Sequence, residues 1–265
     1  MGDNSEQPST ESSIIKTGGY CKKCGVSHWL GPGSTLRLCR ELMDKLGSLG
    51  TIDLHRTQPK ASPALATASL FGPARGKMFG VMECLQQNGT IAILYAFSGQ
   101  YNGLWLADGW APPLFGVDDF LALTVDREKR IKQLGRKIDR HAPYSSEWLT
   151  ERKRRRQLSR ELMRDIHNLY RLTNFRGETA TLEEVFVAGN GIPTGTGDCC
   201  APKLLNFAAQ NNMRPIGISE FFWGKENKSG GHRHGSFASS CMEKCEPILG
   251  FMLCGLEEYP MPGAG

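Results

Sequence analysis

The spacing of apolar positions predicts helices and strands in the first half of the chain. After Ser34, apolar side chains recur every three or four residues up to Leu46, which predicts a helix with Ser34 as its N-cap. Two short apolar runs, 78–84 and 91–97, flank an Asn-Gly pair that is typical of a tight β-hairpin turn. A third strand is expected at 103–106.

The second half begins with helical periodicity at 125–141 and 146–172. From about residue 195 the pattern predicts a turn, a helix, a strand, a loop and a final helix over 239–256. The expected fold class is therefore α+β, with a three-layer α/β/α arrangement as an alternative. The last segments form a helix-strand-helix unit.

These elements divide the chain into five expected parts. They are a disordered leader (1–17), a zinc knuckle with its helix (18–50), a β-hairpin region (51–124), a basic helical region (125–176) and a Cys/His unit (177–265).

Composition narrows the class of protein. The chain has 265 residues, of which 40% are hydrophobic and 22% charged, as in ordinary globular proteins, which excludes a fibrous or wholly disordered protein. No apolar run is long enough to span a bilayer, and the polar N-terminus does not have the form of a signal peptide. We therefore expect a cytoplasmic protein without a membrane partner. In that reducing compartment its nine cysteines are thiols or metal ligands rather than disulfides.

The first cysteine group is a Cys-x2-Cys knuckle followed by a histidine. Cys21, Cys24 and His28 would bring two thiolates and an imidazole near one point, and Cys39 is the local candidate for the fourth ligand of a tetrahedral zinc ion. The alternative is that Cys39 is a buried helix residue and the knuckle binds nothing.

The second group lies in the last quarter of the chain. Cysteines four residues apart on the final helix would share a face and could meet a cysteine at the start of the preceding helix. The choice between His232 and His234 as a further ligand stays open, and so does the alternative that these cysteines are core residues. The predicted metal ligands here are Cys200, His234, Cys241 and Cys245.

This order of residues resembles the cytidine-deaminase-like zinc fold. In that family a zinc ligand and a glutamate precede a helix that carries two cysteines. The chain has Ala201 and Pro202 where the family has its glutamate, so the candidate acid or base is Glu220 on the following strand. The resemblance implies deaminase-like hydrolysis of a nucleobase. Alternatively, Glu220 pairs with Lys203 or Arg214 and is structural.

The cysteines of the last quarter of the chain could also support nucleophilic catalysis by a thiol. A cysteine that opens a helix, with a histidine later in the chain, is the minimum for a thiol nucleophile in papain-like or transglutaminase-like hydrolases. Cys199 would be the nucleophile and His232 its partner.

A broader resemblance covers residues 76–256. The segments A-F-S-G-Q, W-A-P-P-L-F, N-F-R-G-E, G-T-G-D-C-C-A-P-K-L-L and S-E-F-F-W-G occur in the order found in the N-terminal extension of long bacterial RluA-type pseudouridine synthases. The chain resembles a stand-alone version of that extension without the pseudouridylating domain. The resemblance implies a role in RNA modification, with RNA or a nucleotide as substrate and an RNA-modifying enzyme as partner.

Charge gives this expectation a physical basis. Residues 127–176 hold 16 Lys and Arg against 6 Asp and Glu, a net charge of +10, whereas the whole chain carries +5. Such a segment can neutralise phosphates, although a solvated helix face or a contact with an acidic protein would explain it too. The predicted nucleic-acid ligands are Arg152, Lys153, Arg154, Arg155 and Arg156.

Together these features predict a zinc-dependent enzyme acting on a nucleobase or RNA. The alternatives are a hydrolase or amidase that uses Cys199, and a non-catalytic, zinc-stabilised RNA-binding module.

Overall fold

The computed structural model describes residues 15–55, 62–73, 75–189, 191–226 and 231–258. Most of the expected disordered leader lies outside these residues.

The described residues form a mixed α+β fold, as the sequence predicts. The strands are β1 (Thr17–Cys21), β2 (Val26–Leu30), β3 (Lys77–Leu85), β4 (Ile91–Phe97), β5 (Leu172–Thr173), β6 (Thr179–Ala180), β7 (Arg214–Trp223) and β8 (Phe237–Ala238). The α-helices are α1 (Thr35–Leu49), α2 (Val117–Ile138), α3 (Ser146–His167), α4 (Leu182–Val185), α5 (Cys200–Gln210) and α6 (Glu246–Leu253). Short 3-10 turns cover Pro63–Leu65, Thr67–Phe71 and Leu256–Glu258.

The central sheet is antiparallel, with the strand order β4-β3-β7-β8. The predicted hairpin is confirmed, because β3 pairs with β4 from Phe79 opposite Phe97 to Leu85 opposite Ile91. The prediction of a third strand at 103–106 is wrong, because these residues do not form a strand. Backbone hydrogen bonds between Tyr101 and Leu104 close a tight turn there, with Gly103 at a φ of 86°.

Each face of the sheet carries a helix. Helix α1 packs on the face that includes Phe79 and Phe221, whereas α5 packs on the face that includes Met82 and Ile218. Because side chains alternate along a strand, neighbouring residues of β7 contribute to different cores. The close approach of α5 requires Gly80, since a Cβ there would lie 2.6 Å from Cys200 Cβ.

A long helical hairpin is formed by α2 and α3. The helices are antiparallel, and Arg127 near the start of α2 pairs with Asp165 near the end of α3 at 2.5 Å. Helix α2 begins at Val117, earlier than its periodicity predicts, and Asp118 and Asp119 in its first turn suit the positive end of the helix dipole. In the described parts of the chain, no helix combines the length and the apolar character needed to cross a membrane.

The N-terminal hairpin β1-β2 packs on α6, near the other end of the chain. The apolar pattern does not predict these two strands. Gly250 of α6 lets the hairpin approach closely, because a Cβ at this position would collide with the backbone of Tyr20. Helix α6 begins at Glu246, well after the predicted start at 239, because residues 241–245 form a turn and Pro247 occupies the first helical turn.

Candidate metal centre and second cysteine cluster

One group of cysteine and histidine side chains has the geometry of a metal site. Its potential ligand atoms all lie within 4.8 Å of one another. Ligand atoms bonded at about 2.3 Å to a tetrahedral ion are about 3.8 Å apart, so only a small contraction around an ion is needed. The four residues are Cys21, Cys24, His28 and Cys254.

Three elements bring these side chains together. Cys21 ends β1, Cys24 lies in the tight turn and His28 is on β2, so one hairpin supplies three ligands. Cys254 follows the last residue of α6, and the packing of the hairpin on α6 carries it to the same point. We call this group the Cys3His cluster.

The protonation of the Cys3His cluster is suited to a cation. Burial acts to raise the pKa of Cys24, but hydrogen bonds from His28 and from the Val26 backbone outweigh it and lower the pKa to about 6. The Cys24 Sγ and His28 Nε2 atoms are 3.1 Å apart. Burial, followed by the contact with Cys24, raises the pKa of Cys254 to about 12. Cys24 is therefore easily ionised, and a cation bound to the cluster would displace the proton of Cys254.

The fourth residue of the cluster is Cys254, so the prediction of Cys39 as the fourth ligand is wrong. Cys39 is instead buried in the core between α1 and the sheet, where its Sγ donates to the Ser219 carbonyl oxygen at 3.7 Å. A sequence signal for Cys254 exists. Cys-Gly pairs occur only at 24–25 and 254–255, and both glycines have a positive φ, so the chain turns sharply after each cysteine.

The second cysteine group gathers at the start of α5 without forming such a cluster. Cys199 is the half-buried N-cap residue, and Cys200 is fully buried with its Sγ donating to the Met78 carbonyl oxygen at 3.4 Å. Burial raises the pKa of Cys200, which keeps it a thiol. Cys199 is hydrogen-bonded to Cys245, and this bond together with burial raises the pKa of Cys245.

The other predicted ligands of this group are separated. His234 packs on Trp223 with ring centroids 4.3 Å apart, on the α1 face of the sheet, whereas His232 stacks on Phe222, on the α5 face. Cys241 is exposed in the turn before α6, so it shares no helix face with Cys245. Among the described residues, the Cys3His cluster is the one set of three or more ligands within bonding range of a single ion.

Glu220 lies beside the first turn of α5, opposite Gly80 in the sheet. Its Oε1 accepts a hydrogen bond from the Ala201 backbone N–H at 2.8 Å. Burial raises the pKa of Glu220 to about 7, although the Ala201 hydrogen bond opposes this shift. Lys203 does not pair with Glu220, because its ammonium donates to the Phe97 and Gly99 carbonyl oxygens at 2.9 Å each. The carboxylate therefore satisfies a free N–H of the helix end.

The predicted basic run is split between two sides of α3. Arg152 stacks on Trp148, and Arg155 lies beside Gly135 of α2. Other cations of α3 at helical spacing, including two that the sequence analysis does not name, form one exposed stripe, which we call the α3 stripe. It consists of Lys153, Arg156, Arg160 and Arg164.

The α3 stripe is largely free of counter-charges. Arg164 lies 3.8 Å from an Asp165 oxygen that also faces Arg127. In the part of the chain that the structure describes, Lys153, Arg156 and Arg160 form no ion pair within 4.0 Å. Spacing of three and four residues is the signal that could have identified Arg160 and Arg164 from the sequence.

The fold and the site define an α+β protein with a Cys3His cluster that could hold a metal ion and with a basic helical hairpin. Comparison of the chain with family models, curated proteins and solved structures found no match.

Proposed function

We propose that this protein is a zinc-stabilised RNA-binding module. Three thiolates and one imidazole, closed by four protein ligands, are the donor set of structural zinc sites, whereas catalytic zinc keeps a position open for water. The cluster joins a two-stranded hairpin to α6, and a hairpin of this size is only marginally stable alone. Zinc would therefore act on the fold rather than on a substrate.

The α3 stripe carries the RNA-binding part of the proposal. Its four cations lie within a 12-residue stretch of one helix, and the 11 steps from Lys153 to Arg164 span about 16 Å at 1.5 Å per residue. Exposed cations in a row attract a polyanion and release its condensed counterions on binding. The resemblance of the chain to an extension of RNA-modifying enzymes supports RNA as that polyanion.

Salt dependence tests the α3 stripe directly. In the variant R156Q/R160Q, we expect the affinity for a 12-nucleotide single-stranded RNA to fall about tenfold and the slope of log K against log salt to decrease by about 1 to 2. The control K22Q/K45Q removes two exposed cations that lie outside the helical hairpin. Equal affinity and equal slope in both variants would exclude the α3 stripe as the RNA-binding surface.

Elemental analysis tests the zinc. We expect about one zinc atom per chain after purification without added metal. Purified, folded protein that contains no zinc and takes up none would refute this part of the proposal.

A second candidate function is thiol chemistry at Cys199, which is supported by its position. Cys199 is the N-cap residue of α5 and contacts Cys245, and Glu220 is hydrogen-bonded to the same helix end. A helix N-terminus favours a thiolate. We expect iodoacetamide to alkylate Cys199 before the more exposed Cys241, as mapped by mass spectrometry on wild type and on C199S. Earlier alkylation of Cys241 would remove this candidate.

Deaminase-like hydrolysis stays a prediction of the sequence resemblance.

A further inference from the structure

A groove beside α3 lies next to the α3 stripe. It has a volume of about 580 Å³, within the range of small-molecule sites, and it separates α3 from residues 183–188 and 191–192. Arg156, Arg160 and Arg164 form one rim. The walls include three apolar side chains, Met163, Phe186 and Ile192. A charged rim over an apolar interior matches a ligand that has both an anionic and a flat apolar part.

His167 supplies an unused polar atom in this groove. Its Nε2 atom is buried and has no hydrogen-bond partner among the described residues. Burial lowers the pKa of His167, although Glu183 across the groove opposes this, so the ring is neutral near pH 7. A buried polar atom without a partner is unfavourable. A ligand with a hydrogen-bonding edge would satisfy it.

Glu183 determines which way such a ligand points. Its carboxylate lines the groove opposite the three arginines and would repel a phosphate placed next to it. The anionic part of the ligand therefore belongs on the arginine rim. The uncharged part, with its N–H groups, belongs in the interior near Glu183 and His167. An unpaired nucleotide of a single-stranded RNA has this division of charge.

We infer that this groove holds one unstacked base of the bound RNA, while the phosphates beside that base lie on Arg156, Arg160 and Arg164. The inference rests on the proposed RNA-binding function and adds a preference for single strands. A base that is paired in a duplex cannot enter the groove, whereas an unpaired base can leave its stack and be held by apolar side chains and hydrogen bonds.

The variant A188W tests the inference, because Ala188 is exposed and lines the groove, so a tryptophan fills it without removing charge. The control A68W adds a tryptophan at an exposed position away from α3. We expect A188W to bind a 12-nucleotide single-stranded RNA about tenfold more weakly, with an unchanged salt slope and an unchanged affinity for a 12-base-pair RNA duplex. Single-strand affinity equal to that of A68W would overturn the inference.

A second measurement does not depend on a variant. In ¹⁵N-labelled wild type, we expect the Nε2 resonance of His167 to shift on addition of the single-stranded RNA and to stay unchanged with pyrophosphate. No shift with saturating RNA would place the base elsewhere. The proposed function fails differently, since it fails if R156Q/R160Q leaves the salt slope unchanged with both single-stranded and duplex RNA.

Discussion

Two regions of the chain each contain several cysteines, but their structures differ. The region around Cys21 and Cys24 forms the Cys3His cluster, whereas the region around Cys199 and Cys245 places its cysteines at two helix starts and in a turn. In the first region a hairpin turn points three ligands inward. In the second, helix α5 directs Cys200 into the core and the turn before α6 leaves Cys241 in solvent. Proximity in sequence becomes a metal site only where the backbone turns the side chains toward one point.

Replacing single cysteines by serine is the strongest test of which region binds the metal. We expect C254S to reduce bound metal from about one atom per chain to nearly none, because a three-ligand site loses most of its affinity. The control C39S removes the cysteine that the sequence analysis had named, and it should keep the metal. Elemental analysis of both variants is the measurement. Metal retained by C254S and lost by C39S would reverse the assignment.

A steric change distinguishes the packing of the second region from metal binding. We expect G80A to lower the free energy of unfolding by about 3 kcal/mol, because the new Cβ would lie 2.6 Å from Cys200 Cβ. The control is G47A on α1, where the nearest atom to a new Cβ is 3.7 Å away and alanine favours the helix. Urea unfolding gives both values. Metal content should be unchanged in both, and its loss in G80A would indicate that the two regions are coupled.

A titration tests the buried carboxyl group of the second region. The pKa of Glu220 is about 7 in the folded chain against 4.5 for the free group, so the folded state binds more protons between these values. Stability therefore falls as the pH rises through this window. Relative to E220Q, the wild type should lose about 2 kcal/mol of stability between pH 5 and pH 7.5. A difference between the two proteins that does not change with pH would contradict the raised pKa.

The smallest effect is expected at Cys241. Because this side chain is exposed and lies outside the Cys3His cluster, C241S should change the free energy of unfolding by less than about 0.5 kcal/mol and leave the metal content unchanged. Unfolding curves and elemental analysis of C241S check this. A loss of metal would revive the predicted second zinc site.

The local hydrophobic pattern predicted the elements whose own residues show a clear helical or strand pattern. The β3-β4 hairpin follows from two apolar runs around Asn88-Gly89, and helix α5 and strand β7 follow from their own periodicity. The hairpin β1-β2 could not be predicted in this way, because its strands contain Gly18 and Gly19 and are stabilised by packing on α6.

The candidate metal site shows the same difference between residues predicted from local sequence and residues brought in by tertiary packing. Cys21, Cys24 and His28 were predicted because they lie within eight residues of one another, whereas Cys254 comes from the far end of the chain and only tertiary packing brings it to the cluster. The extent of α6 was wrong for a local reason, since the periodicity of 239–256 does not show that Pro247 and the preceding turn delay the start of the helix.

A metal ion bound to the Cys3His cluster would also close the polypeptide into a ring, because it would link Cys21 to Cys254. If the ion stays bound when the chain unfolds, the ring excludes the most extended conformations. A cross-link across a loop of this length lowers the stability of the unfolded ensemble by about 5 kcal/mol in the chain-entropy treatment. The same ring would keep both sides of a cut in a surface loop attached, so a nicked chain would stay assembled until the ion is removed.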